Sequence, residues 1–136
     1  MSKEKEPFSL KKRIKSFEYS FAGLVHLFRL EHNARIHAIA AILVVIAGCM
    51  LEISSMEWVA IVICIGLVLV TETLNTSIEN ICDHLTTDIH PHIKIIKDLA
   101  SGAVLISAIT AVVVALIIFL PKVLSLILGP SFLFLV

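Results

Sequence analysis

Residues whose side chains can do chemistry are concentrated in "ETLNTSIENICD", which runs from Glu72 to Asp83. A helix turns about 100° per residue, so four polar residues of this stretch fall within an arc of about 80°. This polar stripe consists of Glu72, Asn75, Glu79 and Asp83. Hard cations such as Mg²⁺ prefer oxygen ligands of this kind, often one or two carboxylates together with the phosphates of a substrate. The pattern therefore favours a site that handles a cation, with or without a phosphate group.

Two further clusters of polar residues lie where other apolar segments begin. The sequence "EHNARIH" starts at Glu31, and "KIIKDLAS" contributes Lys97 and Asp98. A lysine opposite carboxylates would neutralise the oxygens of a transferring phosphate. A carboxylate at the lipid surface could take the proton of a lipid alcohol. The combination suits phosphoryl transfer from a soluble nucleotide to a lipid hydroxyl.

Residue spacing alone leaves three interpretations open. A small ion- or proton-coupled membrane transporter would also use an acidic stripe, here Glu72, Glu79 and Asp83. A structural network that only holds helices together is the third interpretation. The sequence contains no P-loop, no G-x-G-x-x-G and no H-R-D motif. A kinase with this sequence would therefore be of an unrelated type.

The apolar residues come in long blocks, which is typical of an integral membrane protein. The chain is 58% hydrophobic and 16% charged, with a mean hydropathy of +0.99, whereas a soluble domain has about 25% charged residues. A spanning helix needs about 20 residues, and three segments provide them, at about 34–53, 58–78 and 99–120. Residues 58–70 alone would span only about 20 Å. The second span must therefore include Glu72 and Asn75.

The basic residues predict which side of the membrane the polar stripe faces. Of 11 Lys and Arg residues, eight lie at or before the start of the first span, and the connection between the first two spans has none. The positive-inside rule then places the N-terminus and the loop after Asp83 in the cytoplasm. The net charge is zero at pH 7, so no overall field favours nucleic acid as a partner.

Two segments outside the spans complete the predicted fold. Residues 8–30 carry apolar side chains at helical spacing with lysines between them. They predict an amphipathic helix on the inner membrane surface or on the protein's own cytoplasmic end. We expect Pro121 to stop the third span and residues 123–136 to form no fourth one. The predicted fold class is an all-α membrane protein, one domain over residues 1–136, with three transmembrane helices and an N-terminal amphipathic surface helix.

The polar stripe also carries a family resemblance. "ETLNTSIENICD", followed by "KDLASGAVLI", closely resembles the pattern E-x-x-N-[ST]-[AS]-I-E-x-x-x-D and K-D-x-[AG]-[SA]-[GA]-A-V of the small prokaryotic diacylglycerol kinase and undecaprenol kinase family. The resemblance extends from "KSFEYSFAG" to "FLPK". It implies an ATP- and Mg²⁺-dependent lipid kinase of the bacterial cytoplasmic (inner) membrane. It also implies a homotrimer whose active sites are shared between subunits and lie on the cytoplasmic side.

The resemblance further implies a role for individual residues. Implied catalytic residues are Glu72, as the general base for the lipid hydroxyl, Asn75 and Lys97. Implied Mg²⁺ ligands are Glu31 and Glu79. Implied ATP contacts are Lys12, Tyr19, Glu31, Glu79, Asp88, Ile89, His90, Lys97 and Asp98. Implied lipid contacts are Phe21, Glu72 and Ser101. Lys12 replaces an arginine expected in one branch of the family, which keeps the charge but loses the planar fork.

The acceptor lipid stays open between diacylglycerol and undecaprenol. The short sequences "RIH", "EW", "HP" and "FLPK" resemble the undecaprenol kinase branch more closely. The residues expected to contact the lipid are generic apolar positions, however, and these do not select one lipid.

Overall fold

The computed structural model describes residues 9–85 and 90–129, which form four α-helices and no strand. The helices are α1 (Leu10–Leu30), α2 (His32–Met50), α3 (Ser55–Leu85) and α4 (Pro91–Leu128). Helices α2, α3 and α4 are long and apolar enough to cross a membrane. The prediction of an all-helical protein with three membrane-spanning helices is confirmed at this level.

Helices α3 and α4 extend beyond the spans predicted from hydropathy. With 31 and 38 residues, they are about 46 Å and 57 Å long at 1.5 Å per residue. Since the hydrocarbon core of a bilayer is about 30 Å thick, both helices must project out of it. Helix α4 already begins at Pro91, a residue suited to a first turn because the N–H it lacks would have no partner there.

Pro121, where the sequence predicts the third span to stop, does not end the helix. Helix α4 passes through Pro121 and continues to Leu128. A proline removes one backbone hydrogen bond from a helix, whereas ending the helix leaves four carbonyl groups without an intrahelical partner. In apolar surroundings the second cost is the larger one, so the helix continues. It ends at Gly129, whose φ of 85° lies in the left-handed region that favours glycine.

The connection between α2 and α3 is short and fixed by hydrogen bonds. The Ser54 N–H donates to Glu57 Oε2 at 2.6 Å, and the Glu57 N–H donates to Ser54 Oγ at 3.4 Å. This reciprocal arrangement satisfies backbone donors at the start of α3. Glu57 also pairs with Lys122 of α4 at 3.3 Å. The end of α3 remote from the polar stripe is thereby joined to α4.

A close helix contact and a small core hold the bundle together. A Cβ atom added to Gly48 of α2 would lie 2.8 Å from the ring of Trp58 on α3, so any other residue at this position would force Trp58 to shift. The buried core consists of Ile53, Ile61 and Ile118. Helix α3 packs mainly against α4. Many large apolar side chains of the three long helices remain exposed on this single chain, as expected for faces that meet lipid or another subunit.

Helix α1 lies before the first span and contacts α2 and α3. Its first turn is capped by Ser9, whose Oγ accepts a hydrogen bond from the Lys12 N–H at 3.4 Å. Most of its side chains are exposed, and Leu27 is the buried one. The helix begins two residues after the predicted start at residue 8, and residues 1–8 lie outside the described ranges. Glu31 ends α1 and also caps the start of α2.

Candidate active site

The polar stripe of α3 changes from buried to exposed along the helix. Glu72 is only 2% exposed and Asn75 only 7%. One turn after Asn75, Glu79 is half-buried, and Asp83 is exposed. One helix face therefore presents a carboxylate shielded from water at one level and carboxylates accessible to solutes at another. A site of this form can bind an apolar reactant and a water-soluble reactant on the same helix face.

Asn75 joins the two levels of the stripe. Its Nδ2 donates to Glu79 Oε1 at 3.0 Å. Its Oδ1 and the Oε2 of Glu72 are buried, and neither has a hydrogen-bond partner among the described residues. Leaving a buried acceptor unpaired costs about 1–3 kcal/mol. Native proteins accept such a cost mainly where a catalytic role, an ion or a ligand accounts for it.

Charged and titratable groups of α2, of the α1–α2 junction and of α3 itself lie near Glu72. The His37 imidazole of α2 and the carboxylates of Glu31 and Glu79 are close enough to act electrostatically on Glu72. Three carboxylates in one region repel one another unless a proton or a cation lies between them. The structure therefore brings the acid at the junction of α1 and α2 towards the acids of α3, as a shared binding site requires.

The described residues fit a Mg²⁺ ion that is bound jointly by protein and substrate. No group of three or more His, Cys, Asp or Glu side chains in residues 9–85 and 90–129 is arranged to hold a metal ion. Mg²⁺ usually keeps several waters and takes only one or two carboxylates in addition to substrate phosphates. Glu31, Glu79 and the unpaired Asn75 Oδ1 supply oxygen donors of the right chemistry.

Lys97 lies beside the accessible end of the stripe. Its Nζ donates to Asp83 Oδ1 at 2.8 Å and so connects α4 with α3. Glu79 also acts electrostatically on Lys97. The Lys97 and Asp83 side chains are 34% and 69% exposed, and pairs this exposed contribute little to stability. An incoming phosphate could therefore replace Asp83 as the partner of Lys97 at little cost.

The other sequence-predicted residues in the described ranges lie on the surface of the single chain. Asp98 pairs with Lys94 on the same helix, because successive helix residues point about 100° apart and Lys97 already faces α3. The remaining implied ATP and lipid contacts in the described ranges are exposed, namely Lys12, Tyr19, Phe21, His90 and Ser101. The implied contacts Asp88 and Ile89 lie outside the described residues.

Sequence reasoning placed His37 in the polar cluster at the entry of the first span, but it missed Thr76 and one contact that supports the site. Thr76 follows Glu72 by four residues and so lies only about 40° from it around the helix, a signal that the spacing contains. His37 faces Glu72, but only the packing of α2 against α3 shows this. Thr71 Oγ1 and Ser107 Oγ lie 2.8 Å apart. This hydrogen bond fixes the rotation of α3 relative to α4 one residue before Glu72.

An apolar cleft opens beside the buried end of the stripe. It has a volume of about 280 Å³ and is lined by α2, α3 and α4, with His37, Ala40 and Val68 among its residues. Since His37 belongs both to this lining and to the surroundings of Glu72, the cleft and the buried carboxylate are neighbours. The volume suits a segment of hydrocarbon chain.

Known proteins share these sequence features over most of the chain. A sequence model of the family described as prokaryotic diacylglycerol kinase matches residues 18–119. An undecaprenol kinase of Bacillus subtilis is 41% identical over 113 residues, covering 83% of this chain and 92% of that protein. A diacylglycerol kinase of Synechocystis sp. is 38% identical over 113 residues, covering 82% and 64%.

A third relative extends the similarity to another bacterium. A diacylglycerol kinase of Escherichia coli K12 is 33% identical over 100 residues, covering 74% of this chain and 82% of that protein. The matched region of the family model includes α2, α3 and most of α4, and therefore all residues of the polar stripe. The resemblance carried by the motifs is confirmed. The chain belongs to the prokaryotic diacylglycerol kinase family, whose members are lipid kinases.

Proposed function

We propose that the protein transfers the γ-phosphate of ATP to the hydroxyl of a membrane lipid, with Mg²⁺ and with Glu72 as general base. The observation that carries this proposal is the gradient of burial along the polar stripe. Glu72 is 2% exposed, which suits contact with an alcohol in the membrane. Glu79 and Asp83, about two and three turns along, are accessible to a phosphate donor in water. Family membership supports the kinase over the transporter and the structural network.

The proposed step is an in-line phosphoryl transfer. The acceptor O–H gives its proton to the Glu72 carboxylate as the acceptor oxygen bonds to the γ-phosphorus. The bond from this phosphorus to the β–γ bridging oxygen breaks, and ADP leaves with that electron pair. Lys97 stabilises the charge on the phosphate oxygens. Asn75 holds Glu79 through its 3.0 Å hydrogen bond and so orients the acids of the site.

Glu31 and Glu79 are the proposed ligands of Mg²⁺. The ion supplies charge neutralisation for the phosphate oxygens when it is bound. Both carboxylates act electrostatically on Glu72, which supports their belonging to the same site. They also belong to different segments, so a cation would reduce the repulsion between them.

The exposed candidates fit a site that is completed by a neighbouring subunit. Lys12, Tyr19, His90 and Asp98 are proposed nucleotide contacts together with Asp88 and Ile89, and Phe21 and Ser101 are proposed lipid contacts. Those within the described ranges lie on the surface of one chain, where a bound nucleotide, a lipid or a neighbouring subunit can reach them. We propose a homotrimer in the bacterial cytoplasmic membrane, with α1 on the inner surface and the active sites facing the cytoplasm.

An assay with two acceptors tests the proposed function. Purified protein in mixed micelles with radiolabelled ATP and Mg²⁺ is expected to label both undecaprenol and diacylglycerol, with the higher kcat/KM for undecaprenol. The basis is the 41% identity to an undecaprenol kinase, compared with 38% and 33% to two diacylglycerol kinases. Preference for diacylglycerol would contradict the acceptor assignment. If neither lipid is labelled, the proposed kinase function is contradicted.

Glu79→Gln is expected to raise the Mg²⁺ concentration needed for half-maximal activity by at least about tenfold. Loss of even a supporting group commonly weakens metal binding by about 10–100-fold, and glutamine removes the negative charge from a proposed ligand. The measurement is a Mg²⁺ titration of the labelling rate at saturating ATP. Asp83→Asn removes the next carboxylate of the stripe and should leave the Mg²⁺ titration unchanged. Equal titration curves for Glu79→Gln and the wild type would remove Glu79 as a ligand.

A further inference from the structure

The hydroxyl groups of residues 71–77 of α3 fall into two kinds. Thr71, Thr73 and Ser77 each donate to the backbone carbonyl four residues earlier, at 3.0, 2.7 and 2.8 Å. This local bond is the usual way for a hydroxyl to be satisfied in a membrane helix. Thr76 differs: it is 8% exposed, and its buried Oγ1 has no hydrogen-bond partner among the described residues.

The unpaired hydroxyl is one of three unpaired buried atoms within residues 72–76 of α3, and Glu72 is its neighbour on the helix surface. Within the described ranges, the buried side-chain atoms without a partner are Glu72 Oε2, Asn75 Oδ1 and Thr76 Oγ1. Residues four apart on a helix are neighbours, with about 5–6 Å between their Cβ atoms. Glu72 and Asn75 offer acceptors, and Thr76 offers both a donor and an acceptor. A small group with one hydroxyl, which donates once and accepts at least once, complements this set.

We propose that Thr76 binds the acceptor alcohol, donating a hydrogen bond from its Oγ1 to the lipid oxygen that becomes phosphorylated. This assignment rests on the proposed function and adds a substrate-binding residue to it. The alcohol oxygen has two lone pairs: one accepts the bond from Thr76, and the other attacks the γ-phosphorus. The alcohol proton passes to Glu72 Oε2, and the bridging oxygen leaves with ADP. Thr76 exchanges no proton in the reaction. Its hydrogen bond holds the attacking oxygen next to Glu72.

A structural role for Thr76 makes a different prediction. If the hydroxyl stabilised the fold, its removal would leave a partner unsatisfied and lower the melting temperature. With no partner in the described chain, removing the hydroxyl removes a buried, unsatisfied group. The fold should then be as stable as before or more stable, while binding of the acceptor becomes weaker. Removal of the hydroxyl therefore lowers the melting temperature if Thr76 is a packing contact and does not lower it if Thr76 is a substrate contact.

The test compares Thr76→Val with Thr76→Ser and a matched control, Thr73→Val. Valine has nearly the shape of threonine but lacks the hydroxyl, whereas serine keeps it. Thr73 is the control because it lies on the same helix and its hydroxyl donates to the Leu69 carbonyl. Loss of one hydrogen bond to substrate is expected to raise the acceptor KM about tenfold. The acceptor mole fraction is varied in mixed micelles at saturating ATP, and the ATP KM and the melting temperature are measured in parallel.

Thr76→Val is expected to raise the acceptor KM with an unchanged ATP KM and an unchanged or higher melting temperature. Thr76→Ser should return the acceptor KM to within about twofold of the wild type, and Thr73→Val should leave it unchanged. Thr76→Ala repeats the test with a smaller side chain in case valine disturbs packing. An unchanged acceptor KM in both hydroxyl-free variants, or failure of serine to rescue, would overturn the assignment. So would a lower melting temperature with both KM values altered.

The same experiment separates this assignment from the proposed function. If the wild-type protein labels a lipid and Thr76→Val labels it with equal kinetics, only the role of Thr76 fails. If the wild-type protein labels neither lipid, the proposed function fails and the role of Thr76 fails with it.

Discussion

Replacing Glu72 by glutamine is expected to lower kcat by about 10²–10⁴-fold, the usual contribution of a general base. Glutamine keeps the length and one oxygen of the side chain but cannot take the proton of the acceptor alcohol. The side chain is 2% exposed, so water has little access to replace the missing base. The measurement is the rate of lipid labelling at saturating ATP, Mg²⁺ and acceptor, with the oligomeric state checked by size-exclusion chromatography.

Stability should respond to Glu72→Gln in the direction opposite to activity. Burial penalises a charge on Glu72, Glu31 and Glu79 repel it, and His37 attracts it; because burial is the largest of these effects, a neutral amide in place of the acid should not destabilise the fold. The inactive variant should therefore melt at the same temperature as the wild type or higher. Glu52→Gln is the matched control, because Glu52 is an exposed acid at the other end of the membrane helices. Activity of Glu72→Gln within tenfold of the wild type would remove Glu72 as the base.

Hydropathy predicts the number of helices that can span a membrane well and the ends of those helices poorly. The three apolar blocks are each long enough to cross a bilayer, so no tertiary contact is needed to recognise them. Helix ends depend on competition between backbone hydrogen bonding and solvent. Helix α4 starts at Pro91 and passes Pro121. Hydropathy falls near the first position and a proline interrupts the second, but the backbone groups still find most of their hydrogen-bond partners in a helix.

Residue spacing predicts which polar groups share a helix face but not what the face meets. The turn of about 100° per residue is enough to place Glu72, Asn75 and Glu79 on one face. The contact between Lys97 and Asp83 depends instead on how α3 and α4 are rotated about their axes. Packing sets that rotation, helped by the 2.8 Å contact between Thr71 and Ser107. Local propensity carries no information about such a contact between helices.

Lys97→Met is expected to lower kcat/KM for ATP by about 10²–10³-fold, the usual cost of losing one group that stabilises charge in the transition state. Methionine keeps most of the length of the lysine side chain and removes its charge. Lys97 lies beside Asp83 at 2.8 Å, close to the accessible acids of the stripe. Steady-state labelling rates over a range of ATP concentrations measure the effect.

Two variants separate the charge of Lys97 from its ion pair. Lys94→Met removes a lysine three residues earlier that is 70% exposed and pairs with Asp98, and it should keep near-normal activity. Asp83→Asn breaks the ion pair of Lys97 but retains the lysine. If Lys97 acts on phosphate, Asp83→Asn remains active while Lys97→Met does not. If Lys97 serves only to join α3 and α4, Lys97→Met and Asp83→Asn lose activity to the same small extent, because an exposed pair contributes little to stability. A large loss in Lys97→Met alone is therefore the result that assigns the lysine to phosphate.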